Sequence, residues 1–333
     1  MINHRLFSQY GIDTNKDMKL DRICARPFDT LLIDKKGSCF ACECTAWLPQ
    51  SIGNLQVKSL DEILASDMLI RLQDSVSNGT YRYCNEHQCP HMLSLRPHEK
   101  DTGPQYVKNI RLAIDDSCNL RCPSCRTRMI FHTEGPGFRT GIQLANKIND
   151  WLRTVEHELT VHIGSDGDPF ASHVYRHFMS NTPVKDNFRY SLLTNGLMFK
   201  EFQSKIPHVI SNLARLGVSI DGATKKTYEK LRLGGRWEKI NEALNSITQL
   251  KKKHGFYFEL HMVVQQENWM EMESMLELAH SCQADQICFN KIQDWNTGID
   301  LSSQTFLELD EFKDMAWRVS TDPKTVNNVL NLV

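Results

Sequence analysis

The sequence predicts an α/β fold: an incomplete barrel of parallel strands wrapped by helices, with a small cysteine-rich α+β domain ahead of it. Three observations carry this expectation. Strand-like and helix-like segments alternate after residue 106. Six of the eleven cysteines fall before residue 90, and three more crowd into residues 118–125. Between the two groups lies SLRPHEKDTGPQY (94–106), a polar stretch with two prolines and a glycine that reads as a linker.

Each element follows from its pattern. VKNIRLAID (107–115) alternates apolar and polar residues and reads as the first strand. GIQLANKINDWLRTVEHE (141–158) reads as a helix, LTVHIG (159–164) as a strand and SHVYRHFMSN (172–181) as a helix. YSLLT (190–194) is a strand followed by helical EFQSKIPHVISNLARL (201–216), with Pro207 placed to break it. GVSID (217–221) leads to the helix WEKINEALNSITQLKKKHG (237–255), whose lysines sit at the negative end of its dipole and whose Gly255 suits a C-terminal cap. FYFELHMVV (256–264), WMEMESMLELAHS (269–281) and QICFNKI (286–292) continue the alternation, and a helical stretch near 303–318 completes six strand–helix units. Strict alternation implies a parallel sheet with crossover helices. Six units are too few for a full eight-unit barrel. The domain limits read as 1–93, a linker at 94–106, the barrel at 107–300 and a helical tail at 301–333.

Composition narrows the function. The 333 residues carry a formal net charge of −1, which makes no electrostatic case for a nucleic-acid or membrane partner. The N-terminal stretch lacks the apolar core of a signal peptide, and no run of 18 apolar residues occurs, so a cytoplasmic protein is expected. In that setting eleven cysteines point to metal binding or chemistry rather than disulfides. HELTVH (157–162) has one residue too many for a helical zinc-protease motif, and its second half reads as strand. Cys282 and Cys288 read as small apolar residues of the last helix and strand.

CNLRCPSC (118–125) places Cys118, Cys122 and Cys125 in the loop after the first strand. Sites in parallel sheets form over these C-terminal strand ends. Three thiolates fall one short of a closed zinc site. They also fall one short of saturating a 4Fe-4S cluster, and so leave one iron open to bind substrate or cofactor.

This C-x3-C-x2-C arrangement resembles the radical S-adenosylmethionine (SAM) superfamily, in which the open iron chelates the amino and carboxylate groups of SAM. The resemblance extends over roughly 107–295. GSDGDPF (164–170) is similar to the family's Gly-Gly-Glu-Pro motif, with Gly167, Asp168 and Pro169 in its last three places and Asp166 where a glycine is usual. The resemblance puts these residues at the methionine amino group. LTNG (193–196) and SIDG (219–222), followed by TYEKLRLGG (227–235), are similar to segments that line the SAM pocket. Asn195 or Ser219 is expected at the ribose and Arg232 at the carboxylate. Ser124 stands where many relatives have an aromatic residue.

The N-terminal domain resembles a SPASM or twitch domain, which carries auxiliary iron–sulfur clusters and usually follows the barrel. Cys24 is followed by twelve residues, Gly37, four more residues and Cys42, and Cys84-x4-Cys89 comes later. FDTLLID (28–34) and the segment after KKG read as a hairpin. A second 4Fe-4S cluster is expected on four of Cys24, Cys42, Cys44, Cys84 and Cys89, with zinc as the alternative and Cys39 as a spare thiol. The resemblance implies reductive cleavage of SAM and hydrogen abstraction from a peptide or sugar-like substrate, giving net oxidation or crosslinking. It also implies a flavodoxin- or ferredoxin-type electron donor. The alternatives are a radical SAM methyl or methylthio transferase, or a non-enzymatic iron–sulfur or zinc scaffold.

Overall fold

The computed structural model describes residues 24–89, 92, 106–293, 300–321 and 327–331. It divides into two compact units, residues 1–111 and 112–333, with the division inside the strand Asn109–Ala113. Of the expected linker, only Tyr106 lies within the described residues.

The first unit opens with α1 (Arg26–Asp29), a single turn with Pro27 near its start, where the missing N–H costs nothing. It leads directly into β1 (Thr30–Asp34). Asp34 Oδ1 accepts the N–H groups of Lys36 (2.9 Å) and Ser38 (2.7 Å), and Gly37 takes a positive φ of 75°. This turn folds β2 (Ser38–Phe40) back antiparallel in the register Leu32↔Phe40, as the KKG hairpin reading expects. β3 (Gly53–Asn54) extends the sheet. α2 (Leu60–Leu64) starts at a capping box, in which Ser59 and Glu62 satisfy each other's backbone N–H. α3 (Asp67–Ser77) starts at Ser66. Ile33, Ile63, Leu72 and Val76 are fully buried and form this unit's own core.

From β4 (Asn109–Ala113) the chain alternates as expected: α4 (Gly135–Thr154), β5 (Leu159–Ile163), α5 (His173–Asn181), β6 (Phe188–Thr194), α6 (Phe199–Phe202), α7 (Pro207–Ser211), β7 (Leu213–Ser219), α8 (Lys225–Leu231), α9 (Trp237–His254), β8 (Tyr257–Val264), α10 (Met272–Ser281), β9 (Gln286–Lys291), α11 (Asp310–Thr321) and β10 (Asn327–Asn331). Neighbouring strands from β5 to β10 pair in parallel. On β8, Phe258, Leu260, Met262 and Val264 are fully buried, while Tyr257 and His261 on the opposite face are half-buried.

Three segments differ from the sequence reading. The expected helix 201–216 is broken, because Pro207 opens the new helix α7 and Leu213–Leu216 joins β7 instead. α8 is a seven-residue helix that begins two residues ahead of TYEKLRLGG and runs into it, started by Thr224, whose side chain accepts from Thr227 N–H. The expected helical tail keeps its helix α11, but then adds β10 along β9 in the register Asn327↔Gln286. A strand there takes up hydrogen-bonding groups that an edge strand leaves unpaired.

Gly164, just past β5, has φ +99°, and a Cβ there would lie 2.2 Å from the Leu193 carbonyl oxygen. Glycine is therefore what lets the ends of β5 and β6 close up. Gly164→Ala is expected to destabilise the protein by at least about 1–2 kcal/mol from backbone strain alone. Thermal unfolding should show this as a fall in melting temperature of roughly 2–8 °C. An unchanged melting temperature would show that the two strand ends have room to part.

Candidate functional site

Beyond β4 the chain turns at a buried carboxylate. Asp115 Oδ2 accepts the Ser172 hydroxyl at 2.5 Å and the Ser117 N–H at 3.3 Å, anchoring the start of the cysteine loop to the cap of α5. Cys118 N–H then donates to the Ile130 carbonyl at 2.8 Å and closes the loop into a bridge. Cys125 and Arg126 both donate backbone N–H to the Cys122 carbonyl, at 2.9 and 3.0 Å, so one tight turn presents Cys122 and Cys125. Arg126 Nη1 ties the turn to the Asp116 carbonyl at 2.8 Å.

The sulfurs face hydrogen-bond donors. Cys118 Sγ lies 3.4 Å from Leu120 N and 3.6 Å from Asn195 Nδ2, and Cys122 Sγ lies 3.8 Å from Arg232 Nη1. Burial pushes the Cys118 thiol up to about 11 and raises Cys122 as well, where the Arg232 charge pulls the other way. Donors aimed at sulfur suit thiolates that ligate metal, because such bonds stabilise the charged sulfur. Cys125 is exposed. The loop therefore fits a cluster held by three thiolates.

The segment 164–170 forms the adjoining wall. Gly167 has φ +69°, and a Cβ would meet the carbonyl oxygens of Ser117 and Asp115 at 2.7 and 2.8 Å. Asp168 N–H donates to Ser117 O at 2.8 Å. The Asp168 side chain is buried, with Oδ1 accepting Phe170 N–H (3.0 Å) and Ala171 N–H (2.9 Å), and Oδ2 accepting the Thr194 hydroxyl and Asn195 N–H (both 2.7 Å). A carboxylate has about four acceptor sites. The structure therefore fills the Asp168 carboxylate with internal donors.

One cavity gathers Cys118, Cys122, Cys125, Gly167, Asp168, Asn195, Ser219 and Arg232. It holds all three triplet cysteines and five of the six residues expected around SAM, while Pro169 is not in its lining. Asn195 Nδ2 donates to Asn119 Oδ1 at 2.8 Å, which ties the end of β6 to the cysteine loop. Ser219 is half-buried and stands beside His261 in the β7–β8 register. Arg232 lies with Nε 2.7 Å from Asp221 Oδ2. Sequence reasoning gave no role to Asp221, Asn119 or Arg126. Asp221 stands inside SIDG and Asn119 inside CNLRCPSC, but the partner of Asn119 is Asn195, far along the chain, while Arg126 closes the cysteine loop on the nearby Asp116 carbonyl.

The first unit gathers its own thiols. Burial first, then the charges of Cys24, Cys42 and Cys89, push Cys84 up to about 12. Cys42 rises to about 11 through burial, with Cys24 adding to the effect, and Cys24 in turn feels Cys89. Cys24, Cys42, Cys84 and Cys89 are thus electrostatic neighbours, and Cys44 bonds the Cys42 thiol through its backbone N–H. Two cross-links assemble them: Cys24 N–H donates to the Tyr81 hydroxyl at 3.1 Å, and Asn85 N–H donates to the Trp47 carbonyl at 2.7 Å. Cys39 is buried elsewhere, with its thiol directed at Gly37 O and pushed up to about 12 by burial and Asp34.

Comparison with known proteins agrees with this division. The Radical SAM superfamily model matches residues 114–279, and the SPASM iron-sulfur cluster-binding domain model matches residues 24–90. The chain is a radical SAM enzyme that carries a SPASM domain before its radical SAM domain, and its cofactors are 4Fe-4S clusters and SAM. A "Probable GTP 3',8-cyclase" of Methanococcus maripaludis is 24% identical over 153 residues, covering 45% of this chain and 49% of the relative. The chain thus matches about half the length of these curated relatives. Among solved structures, Streptococcus suis SuiB bound to its precursor peptide SuiA aligns with TM-score 0.49 and 9% identity over 82% of this chain and 63% of that one. Native anSMEcpe with bound AdoMet and Cp18Cys peptide aligns with TM-score 0.42 and 18% identity over 66% and 62%. No helix among the described residues is long and apolar enough to cross a membrane.

Anaerobically reconstituted protein is expected to bind about eight irons per chain, the sum of two 4Fe-4S clusters. Replacing Cys118, Cys122 and Cys125 together by Ala should remove half of this iron. Cys42→Ala should remove the other half, while Cys44→Ala leaves the total unchanged. Equal iron loss from Cys44→Ala and Cys42→Ala would put Cys44 in the auxiliary ligand set.

Proposed function

We propose that this enzyme cleaves SAM reductively at the cluster of Cys118, Cys122 and Cys125, and that it removes a hydrogen atom from a peptide or sugar-like substrate, with net oxidation or crosslinking as the outcome. The observation that carries this reading is the single cavity joining the three cysteines to Gly167, Asn195, Ser219 and Arg232. When bound there, the cluster and SAM supply the electron and the carbon-centred radical.

The residues of the chain hold and orient. Asp168 locks the end of β6 to the 164–170 segment, which keeps Asn195 against the cysteine loop. Gly167 lets that segment lie directly on the loop backbone. Ser219 lines the cavity and neighbours His261 of β8 in the register. His261 is held there by the buried Glu259 at 3.2 Å, which also pairs with Arg215.

The SPASM thiols Cys24, Cys42, Cys84 and Cys89 hold the second cluster, which accepts the substrate electron or ligates the substrate. The electron donor is of flavodoxin or ferredoxin type, and the enzyme works in the cytoplasm. The name of the curated relatives raises a nucleotide substrate as a second reading, so GTP belongs beside peptides and sugars in a substrate screen.

Reduced protein given SAM and dithionite is expected to release 5′-deoxyadenosine slowly without substrate, and the triple cysteine variant none. Release of S-adenosylhomocysteine in its place would favour methyl transfer. Release of neither nucleoside by protein with its full iron would leave only a scaffold role.

A further inference from the structure

Arg232 is expected from the sequence at the SAM carboxylate, but its surroundings are those of a group turned toward the cysteine loop. It follows directly on α8, with its N–H on the Tyr228 carbonyl at 2.8 Å and its own carbonyl taken by Gly235 N–H. Its side chain is only 12% exposed. Nε sits 2.7 Å from Asp221 Oδ2, yet neither atom has a directed hydrogen bond, so the pair is held by charge at a poor angle. The Nη1 edge instead points at Cys122 Sγ, 3.8 Å away.

Asp221 is the fixed partner. It is 1% exposed, its Oδ1 accepts Val263 N–H at 2.9 Å and its carbonyl accepts Asn268 Nδ2 at 2.8 Å. The carboxylate is thereby pinned to β8 and cannot follow the guanidinium. A planar guanidinium with five donors in a fixed fork can answer two acceptors at once, which a lysine ammonium cannot do with the same geometry.

We propose that Arg232 is a positioning residue for the cluster itself: it donates to the Cys122 thiolate and raises the cluster's reduction potential, with Asp221 holding the guanidinium in place. The proposal rests on the assignment of Cys118, Cys122 and Cys125 as the cluster ligands. Reduction adds one negative charge to a cluster and its thiolates. A buried cation with an N–H directed at one of those sulfurs therefore stabilises the reduced state more than the oxidised one, and low surrounding polarity strengthens the effect.

The test is a potentiometric titration of the reconstituted full-length enzyme followed by electron paramagnetic resonance. The triplet cluster's signal is identified as the one absent from the Cys118→Ala/Cys122→Ala/Cys125→Ala protein. Removing Arg232 alone would strand a buried carboxylate, so Asp221→Asn is the reference. Asparagine keeps an acceptor for Val263 N–H and carries no charge. Asp221→Asn/Arg232→Gln is expected to be about tenfold harder to reduce than Asp221→Asn, a fall of about 59 mV for one electron. Arg232→Lys keeps the charge and the fold while losing the fork, and should be harder to reduce than wild type by a smaller factor. SAM affinity is measured on the oxidised proteins in parallel. Equal potentials in the double variant and Asp221→Asn would overturn the proposal, as would a large loss of SAM affinity with an unmoved potential, which returns Arg232 to the SAM carboxylate. If the wild-type protein shows no signal assignable to the triplet, the assignment of the cluster ligands fails, and with it the basis for any role of Arg232 at that cluster.

Discussion

The contact between two loops, 115–118 and 164–168, is the constraint on which the second unit's site depends. Gly167 presses its backbone against the carbonyls of Asp115 and Ser117 so closely that no side chain fits, and Asp168 N–H bonds Ser117 O. From that contact the Asp168 carboxylate reaches four donors and fixes Thr194 and Asn195 at the end of β6. Asn195 then returns to Asn119 and Cys118. The ring of bonds closes on itself, so the cysteine loop is positioned from three strand ends at once. A buried carboxylate with all its acceptor sites filled is rigid, because each broken bond would leave a buried polar group unpaired.

The two groups of cysteines meet the same problem in similar ways. Buried thiols resist ionising, and burial raises Cys24, Cys42, Cys84, Cys118 and Cys122 alike. Metal binding requires the thiolate and so works against this burial. At the triplet the compensation is built into the protein, through Leu120 N–H, Asn195 and Arg232. In the first unit the compensation is likewise built in: a backbone bond at Arg26 and the Arg26 charge favour the Cys24 thiolate, backbone bonds at Cys44 and Glu43 favour that of Cys42, and burial, more than the neighbouring thiols, raises Cys84.

Much of the fold was legible because its signals are local. The alternation of apolar residues located β4 to β9, the KKG turn announced the first hairpin, and Gly255 ended α9 with φ 72°. Pro207 marks the break in the helix, but nothing in the sequence marks the strand that starts six residues later, since LARL suits either state until the register of a neighbour decides. The triplet is legible because its spacing alone puts three thiols on one loop. Two matters were hidden. The nearness of Cys24, Cys42, Cys84 and Cys89 depends on bonds between Cys24 and Tyr81 and between Asn85 and Trp47, which join segments far apart in sequence. The spending of Asp168 on internal donors depends on Thr194 and Asn195, whose nearness to it no motif expresses.

The central claim is that three thiolates leave one iron open toward the cavity, where SAM binds. Electron–nuclear double resonance on the reduced enzyme, with SAM labelled at its amino nitrogen and carboxylate oxygen, reads that contact directly. Hyperfine coupling from both labels to the triplet cluster is the expected result, and its disappearance in the Cys118→Ala/Cys122→Ala/Cys125→Ala protein confirms the source. A cluster signal that SAM leaves unchanged, with no coupling from either label, would contradict the claim.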